Sequence, residues 1–446
     1  IKTLRLGHHF NHSLTCDVLP TTLECLTFGD SFNQLIESGH LPATLTSLTF
    51  GHEFNQQIVV AEQCVLPSGL KTLMFGACFN SLITHSSLPN SLTNLIFGQR
   101  FNHKLESGTI PYSLTTLELG VGYTHTIDLS TLPQSITKLS FARAYNGRVL
   151  VTGTLPPSLV KLENVPNVLD SERRSILPFG LQSLTMSHSH QYDYIPPGTL
   201  PSTITHLHFD HLFEQTIERS FLPASLTKLK FGMHFDKPLI FNLPAGLTSL
   251  TFGTLFNRPL CKGRLPVGLT KLRLGPRFNQ ASEDVDLPSS ITRLCLQHPA
   301  HQMHLLCKDL ALESVAFIED DHSPFSKKPL ISVASSLGVG TLKSLSLRHL
   351  DVRCCDGTSW TELKHHMLTL INLFTSVETF SLFHHVAGAD GQTIVHHMRF
   401  LNRATDLAIC VRGTKFKFFK MREFFGLSNQ MIDIQSYISD HYDRRS

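Results

Sequence analysis

Histidine is the most over-supplied of the side chains able to do chemistry, with 26 among 446 residues. The doublets His365-His366, His384-His385 and His396-His397 lie close in sequence, and Met367 and Met398 follow two of them. Neutral imidazoles hold Zn²⁺ or Cu²⁺ when three converge. The first and last doublets fall on segments that read as helices, where adjacent residues point about 100° apart, so each doublet offers a metal a single ligand. They read instead as partly exposed surface histidines, with no metal site and no cofactor. The ten cysteines include no C-x-x-C pair, and the vicinal Cys354-Cys355 has no metal-ligand spacing. Free thiols in a reducing compartment are the expectation.

No nucleotide-binding, metalloprotease or nucleophile-elbow motif occurs, so no catalytic constellation emerges and an enzyme is not expected. Glu283-Asp284 and Glu319-Asp320-Asp321 read as solvated acidic turns. Lys415-Phe416-Lys417-Phe418-Phe419-Lys420 alternates cation and aromatic. That pattern suits nucleic acid or lipid, but an edge strand guarded by lysines is the simpler account. The net charge of +3 excludes a general polyanion binder, leaving only local basic surfaces. With 31 Phe the chain has ample apolar surface to bury, and no apolar run is long enough to span a bilayer. Ile1 follows no basic or apolar leader, which predicts a truncated start, and Asn11-His12-Ser13 is the single glycosylation sequon. The expectation is a cytoplasmic protein with no membrane contact.

What must position any site is a repeat. Leu-Pro, once Ile-Pro, begins at 19, 41, 66, 88, 110, 132, 155, 177, 200, 222, 243, 265 and 287, at intervals of 21 to 25 residues. Such regularity marks a solenoid. The unit reads L-P-x-x-L-T-x-L-x-F-G-x-x-F-N, as in Leu41-Pro42, Leu45-Thr46, Leu48, Phe50-Gly51 and Phe54-Asn55. The last two positions of Leu-x-x-Leu-x-Phe alternate with period two, which predicts a short strand with one buried face. Pro donates nothing to a ladder, so Leu-Pro belongs on the opposite side of the coil. A Gly after the strand fits a turn with unusual dihedrals. A coil this short leaves extended or 3₁₀ structure for the return side.

The pattern resembles the FNIP repeat family, named for Phe-Asn-Ile-Pro and akin to leucine-rich repeats, over about residues 1–297. The resemblance implies a right-handed solenoid with its parallel sheet on the concave face. It also implies a structural spine and ladder: Phe32-Asn33, Phe54-Asn55, Phe79-Asn80, Phe101-Asn102, Phe256-Asn257 and Phe278-Asn279. Each Phe would fill the spine, and each Asn amide would bond the backbone of an adjacent coil. FNIP proteins of social amoebae and giant viruses often carry an F-box ahead of the repeats. By that resemblance the array would be a protein-protein interaction scaffold, the substrate-recognition arm of a ubiquitin ligase whose F-box is not in this chain. Residues 160–195 depart from the pattern, predicting a local irregularity.

Past residue 297 the cores Leu312-x-x-Val315-x-Phe317, Leu342-x-x-Leu345-x-Leu347, Val377-x-x-Phe380-x-Leu382 and Ala404-x-x-Leu407-x-Ile409 continue at wider spacing. That spacing predicts four longer repeats over 298–414, with convex helices at 360–371 and 393–401. A helical cap is expected over 415–446, its amphipathic part from Met421 to about Tyr442. Strand residues flanking each central Leu should face the open side. In early coils these are small and neutral, such as Cys25 and Thr27. Later they become His206 and His208, Lys228 and Lys230, Lys271 and Arg273, and Arg293, with Asp210 as the nearby acid. Two readings stay open for this basic face: solvated strand faces that discourage aggregation, or a surface for an acidic protein. Nucleic acid or another polyanion is the alternative partner.

Overall fold

The computed structural model describes residues 1–60, 63–85, 87–127, 130–141, 150, 152–187, 194–296, 302, 305, 310–318, 349–353, 379–385, 393–402, 407–412 and 415–420, the strands beyond Ala316 as backbone only. The chain divides into two compact units, Ile1–Phe235 and Asp236–Ser446.

In the first unit each coil contributes one short strand, beginning with Thr3–Arg5, Cys25–Thr27, Ser47–Thr49 and Thr72–Met74. Apart from a small antiparallel hairpin, Val59–Val60 with Gln63–Cys64, these strands run parallel with Leu opposite Leu, as in Leu26↔Leu48 and Leu207↔Leu229. The central leucines are buried and their flanks are not, as period two requires. Proline stays off the strands. Its carbonyl accepts the N–H three residues on, as from Leu23 to Pro20 at 3.0 Å, closing the turn that enters the strand.

Two aromatic columns fill the space beside the leucines. Phe28, Phe50, Phe75 and Phe97 form one, at 5.4 to 5.9 Å between coils. Phe10, Phe32, Phe54, Phe79, Phe101 and Tyr123 form the other, at 6.0 to 6.2 Å. Within a coil the two rings stack, for example Phe50 on Phe54 at 3.8 Å. Tight winding explains the glycines, and the reason differs from the sequence expectation. Gly51, Gly76 and Gly98 have no left-handed φ; instead a Cβ would meet the preceding coil's glycine carbonyl oxygen at 2.1, 1.7 and 1.6 Å. Positive φ belongs to other glycines, such as Gly39 and Gly108, in the turns ahead of Leu-Pro.

Side-chain ladders close the hydrogen-bond accounting. The Oδ1 of Asn11, Asn33, Asn55 and Asn80 accepts the N–H of Asn33, Asn55, Asn80 and Asn102 at 2.7 to 2.9 Å. The rung lies near the surface, and the next residue often reaches back too, as Gln56 does to Asn33. Two hydroxyl ladders escaped the sequence reading. Ser91, Ser113 and Ser135, each just before the buried Leu or Ile that closes the turn, donate to Leu70, Leu92 and Leu114 carbonyls at 2.6 Å. Thr93, Thr115 and Thr137 donate to Lys71, Thr93 and Thr115.

The irregular stretch is real. The strand Lys161–Val165 bulges against Ser183–Met186, and Asn164 adopts φ 55°. Its Nδ2 donates to the Phe141 carbonyl at 2.8 Å. A buried Asp170 carboxylate follows, accepting from Thr152, from the Glu172 and Arg174 amides and from the Arg174 guanidinium. The Thr152 hydroxyl and the Arg174 and Glu172 donors hold its pKa well below the usual carboxylate range.

In the second unit Ser249–Thr251, Lys271–Arg273, Arg293–Leu296, Ser314–Ile318, His349–Arg353 and Thr379–His385 are parallel in that order. Asn257 accepts from Asn279, and Asp236 takes the asparagine's place beneath Asn257. Phe256 stacks on Phe252 and Phe278 at 3.8 and 6.0 Å. Several expectations need correction. The helix expected at 393–401 is a strand, Thr393–Asn402, antiparallel to Thr379–His385. Its β-branched start and its pairing with a full neighbouring strand outweigh the apolar spacing that suggested a helix. The strand after Ser314–Ile318 is His349–Arg353, so Leu350 and Val352 hold the positions expected for Leu345 and Leu347. Leu407–Arg412 and Lys415–Lys420 extend the antiparallel run, so Leu407 and Ile409 belong to a meander and not to a further parallel repeat. Residues 415–420 are a strand where the helical cap was expected to begin, paired along one edge among the described residues. The expected helix at 360–371 and the tail from Met421 lie outside the described residues. The described return side is turns and extended chain with one 3₁₀ turn, Ser282–Asp284.

Candidate binding face

Because the central Leu of each strand points into the core, the residues on either side of it point out, and their types decide what the sheet face can do. In the first unit this face, after Thr3 and Arg5, continues with neutral pairs: Cys25 and Thr27, Ser47 and Thr49, Asn94 and Ile96. It then becomes charged but self-satisfied. Lys138 meets Glu118 and, at 3.6 Å, Glu163, while Lys161 meets Glu163 at 2.9 Å. The hydrogen bond to Glu118 raises the Lys138 pKa against the opposing effect of burial, with the Glu118 and Glu163 charges adding to it.

Two strands further on, the residues flanking the central leucines are imidazoles and amines. His206 and His208 flank Leu207, Lys228 and Lys230 flank Leu229, and His206 pairs in register with Lys228. Both lysines are exposed and the histidines half-buried. Burial first, then the charges of Lys228 and Lys161, depress the His206 pKa, so its imidazole resists protonation. Asp210, expected beside this cluster, lies instead in the core at the position other coils give to glycine. Its Oδ1 accepts the Leu212 and Phe213 amides at 2.9 Å.

The second unit holds Lys271, Arg273 and Arg293. All three line one cavity of about 710 Å³ on the sheet face. Strand register arranges it as two rows: Ser249, Lys271, Arg293 and Ser314; then Thr251, Arg273, Cys295 and Ala316. None of the three cations forms an ion pair or side-chain hydrogen bond with a described residue. Glu313, just before its strand and missed by a pattern confined to strand flanks, also lines the cavity. Of the seven basic residues singled out in sequence, four lie in the first unit and three in the second.

Among the described residues no three His, Cys, Asp or Glu side chains gather as a metal would need. Cys16, Cys25, Cys64, Cys78, Cys261 and Cys295 are free thiols. No described helix is long and apolar enough to cross a membrane.

The FNIP Repeat family model matches residues 32–78, 60–100, 79–122, 101–144, 193–234, 235–277 and 256–298. The chain is an FNIP-repeat protein. The unmatched gap between 144 and 193 contains the bulged coil and Asp170, where the glycine and Phe-Asn columns lapse. Among solved structures the FNIP chain is similar to CroV588, described as a novel circular LRR protein. The two are 34% identical, with a TM-score of 0.57 over 80% of this chain and 47% of that one. The chain thus spans about half the length of that protein. No curated protein matches it. The fold is a parallel, leucine-rich-repeat-like β-solenoid, an architecture suited to interaction scaffolds.

Proposed function

We propose that this FNIP array is a non-enzymatic scaffold whose basic sheet faces bind an acidic protein. The substrate-recognition arm of an F-box ubiquitin ligase is the setting its family resemblance suggests. The observation that carries the reading is the cavity over Lys271, Arg273 and Arg293, three cations with no described partner on a rigid sheet. Cations held close together without carboxylate partners raise the local potential and favour a ligand of opposite sign. Lys228 and Lys230 supply a second basic patch in the other unit.

The test begins with partners captured from the source cells and identified by mass spectrometry, then purified. Lys271→Gln/Arg273→Gln/Arg293→Gln and Lys228→Gln/Lys230→Gln should each slow association about tenfold, with little change in dissociation. Thr27→Ala/Thr49→Ala, on the neutral coils, should leave binding intact. Retention by both charge variants alongside loss by the threonine variant would sink the proposal. Capture dominated by nucleic acid, with affinity falling steeply in salt, would replace it with the polyanion reading.

A further inference from the structure

The second unit's cavity is more than a basic patch, because its three cations are rooted close together on adjacent strands. Lys271 and Arg293 are register partners on adjacent strands, about 4.8 Å apart, and Arg273 lies two residues along from Lys271, about 6.5 Å away on the same face. Three long cationic side chains rooted in so small a triangle can converge on one group. Serine hydroxyls bound their row at both ends, Ser249 beside Lys271 and Ser314 beside Arg293. Resting on the reading of this face as a binding surface, we infer that the cavity recognises a phosphorylated side chain on an extended peptide segment.

The choice of occupant follows from charge and size. A carboxylate brings one charge, too little for three cations, whereas a phosphoryl group brings about −1.5 to −2 and three acceptor oxygens on one residue. Arginine forks match phosphate oxygens two at a time, and two of the three cations are arginines. A volume of about 710 Å³ suits one modified side chain and its flanks. A nucleic-acid strand would want cations tracking coil after coil. Here Thr251 and Ser249 precede the cluster, and Ser314 and Ala316 follow it. Glu313 on the cavity wall would repel a continuous polyanion but can accept a backbone N–H or a cation beside the phosphorylated residue.

The experiment uses the full chain and three degenerate peptide libraries: phosphoserine/phosphothreonine, the unphosphorylated parent, and Glu at the same position. A single-stranded oligonucleotide and phenyl phosphate complete the set. Selection from the phosphorylated library should exceed both controls by about tenfold or more, and phenyl phosphate should compete. Arg293→Lys keeps the charge and loses the fork, so it should lower phosphate selectivity about tenfold while leaving the circular dichroism and melting curve unchanged. Arg273→Lys provides the same measurement should Arg293→Lys fold poorly. Thr27→Ala, on a neutral strand of the other unit, should change nothing. Equal selection of the Glu and phosphorylated libraries would overturn the inference while leaving the acidic-protein reading standing. Tighter binding of the oligonucleotide would overturn both. Selection from none of the libraries would also overturn the inference.

Discussion

At Gly76 a Cβ would sit 1.7 Å from the Gly51 carbonyl oxygen, whereas Met74, two residues earlier, stands 41% exposed with nothing requiring it to be Met. The two positions recur in every coil under opposite rules. Glycine and the two phenylalanines are set by how closely one coil winds on the next, so their types repeat. The strand flanks lie on the open face outside the packed core, so they vary from Cys-Thr to Lys-Glu to Lys-Arg without disturbing the winding. What the molecule is built from and what it binds with are thereby separated within a few residues.

The contrast breaks most sharply at the glycine column. Gly76→Ala forces backbone apart, since the atom in the way is a carbonyl and not a mobile side-chain end. It should cost about 3 kcal/mol or more and cut the denaturation midpoint of the first unit. Gly69→Ala is the control: its Cβ would find its nearest atom at 3.6 Å, and its stability should be unchanged or slightly raised. Similar midpoints for the two variants would show that the coils can spread at little cost. Next comes the aromatic column. Phe54 is fully buried between Phe32, Phe50 and Phe79, so Phe54→Ala should cost about 3–5 kcal/mol by denaturant titration.

A smaller effect is due at the asparagine ladder. Asn55 accepts the Asn80 amide at 2.7 Å, but the rung is exposed and water can take the vacated place. Asn55→Ala should therefore cost about 0.5–1.5 kcal/mol, well short of an unmet buried amide. A loss as large as that of Phe54→Ala would mean the rung holds the coils together as strongly as the core does.

These ranks also explain what could be read from the sequence. The strands of the first unit were legible because Leu-x-x-Leu-x-Phe pairs a fixed spacing with a buried face, and Leu26, Leu48 and Leu73 are buried accordingly. The residues on the outer face were legible for the same reason, by alternation from those leucines. What was not legible depends on partners a full coil away. The clash that demands Gly76, the hydroxyl ladders and the salt bridge from Lys138 to Glu118 join residues 20 to 25 apart in sequence. Asp210 looked like part of the surface because it is charged; it is buried because two turn amides meet its carboxylate. At 393–402 the residues suited either period, and only pairing with 379–385 settled on a strand.

The smallest effect probes the variable face itself. In the folded chain His206 carries a pKa depressed by burial and by Lys228, its register partner, with Lys161 contributing. A depressed histidine pKa means the folded state binds fewer protons than the unfolded chain in the range just below the ordinary value near 6.5. Stability is therefore full above that value and declines as pH falls through it. Lys228→Gln removes one of the two charges that oppose protonation. It should raise the His206 pKa, followed by the imidazole proton shifts across a pH titration, and should soften the acid-side loss of stability. The midpoint at pH 8, where the imidazole is neutral in both states, should stay within about 0.5 kcal/mol of the parent, as expected for an exposed side chain. If the titration of His206 is unmoved while the pH 8 stability drops, Lys228 is part of the packed structure, and the division between winding and face does not hold at that strand.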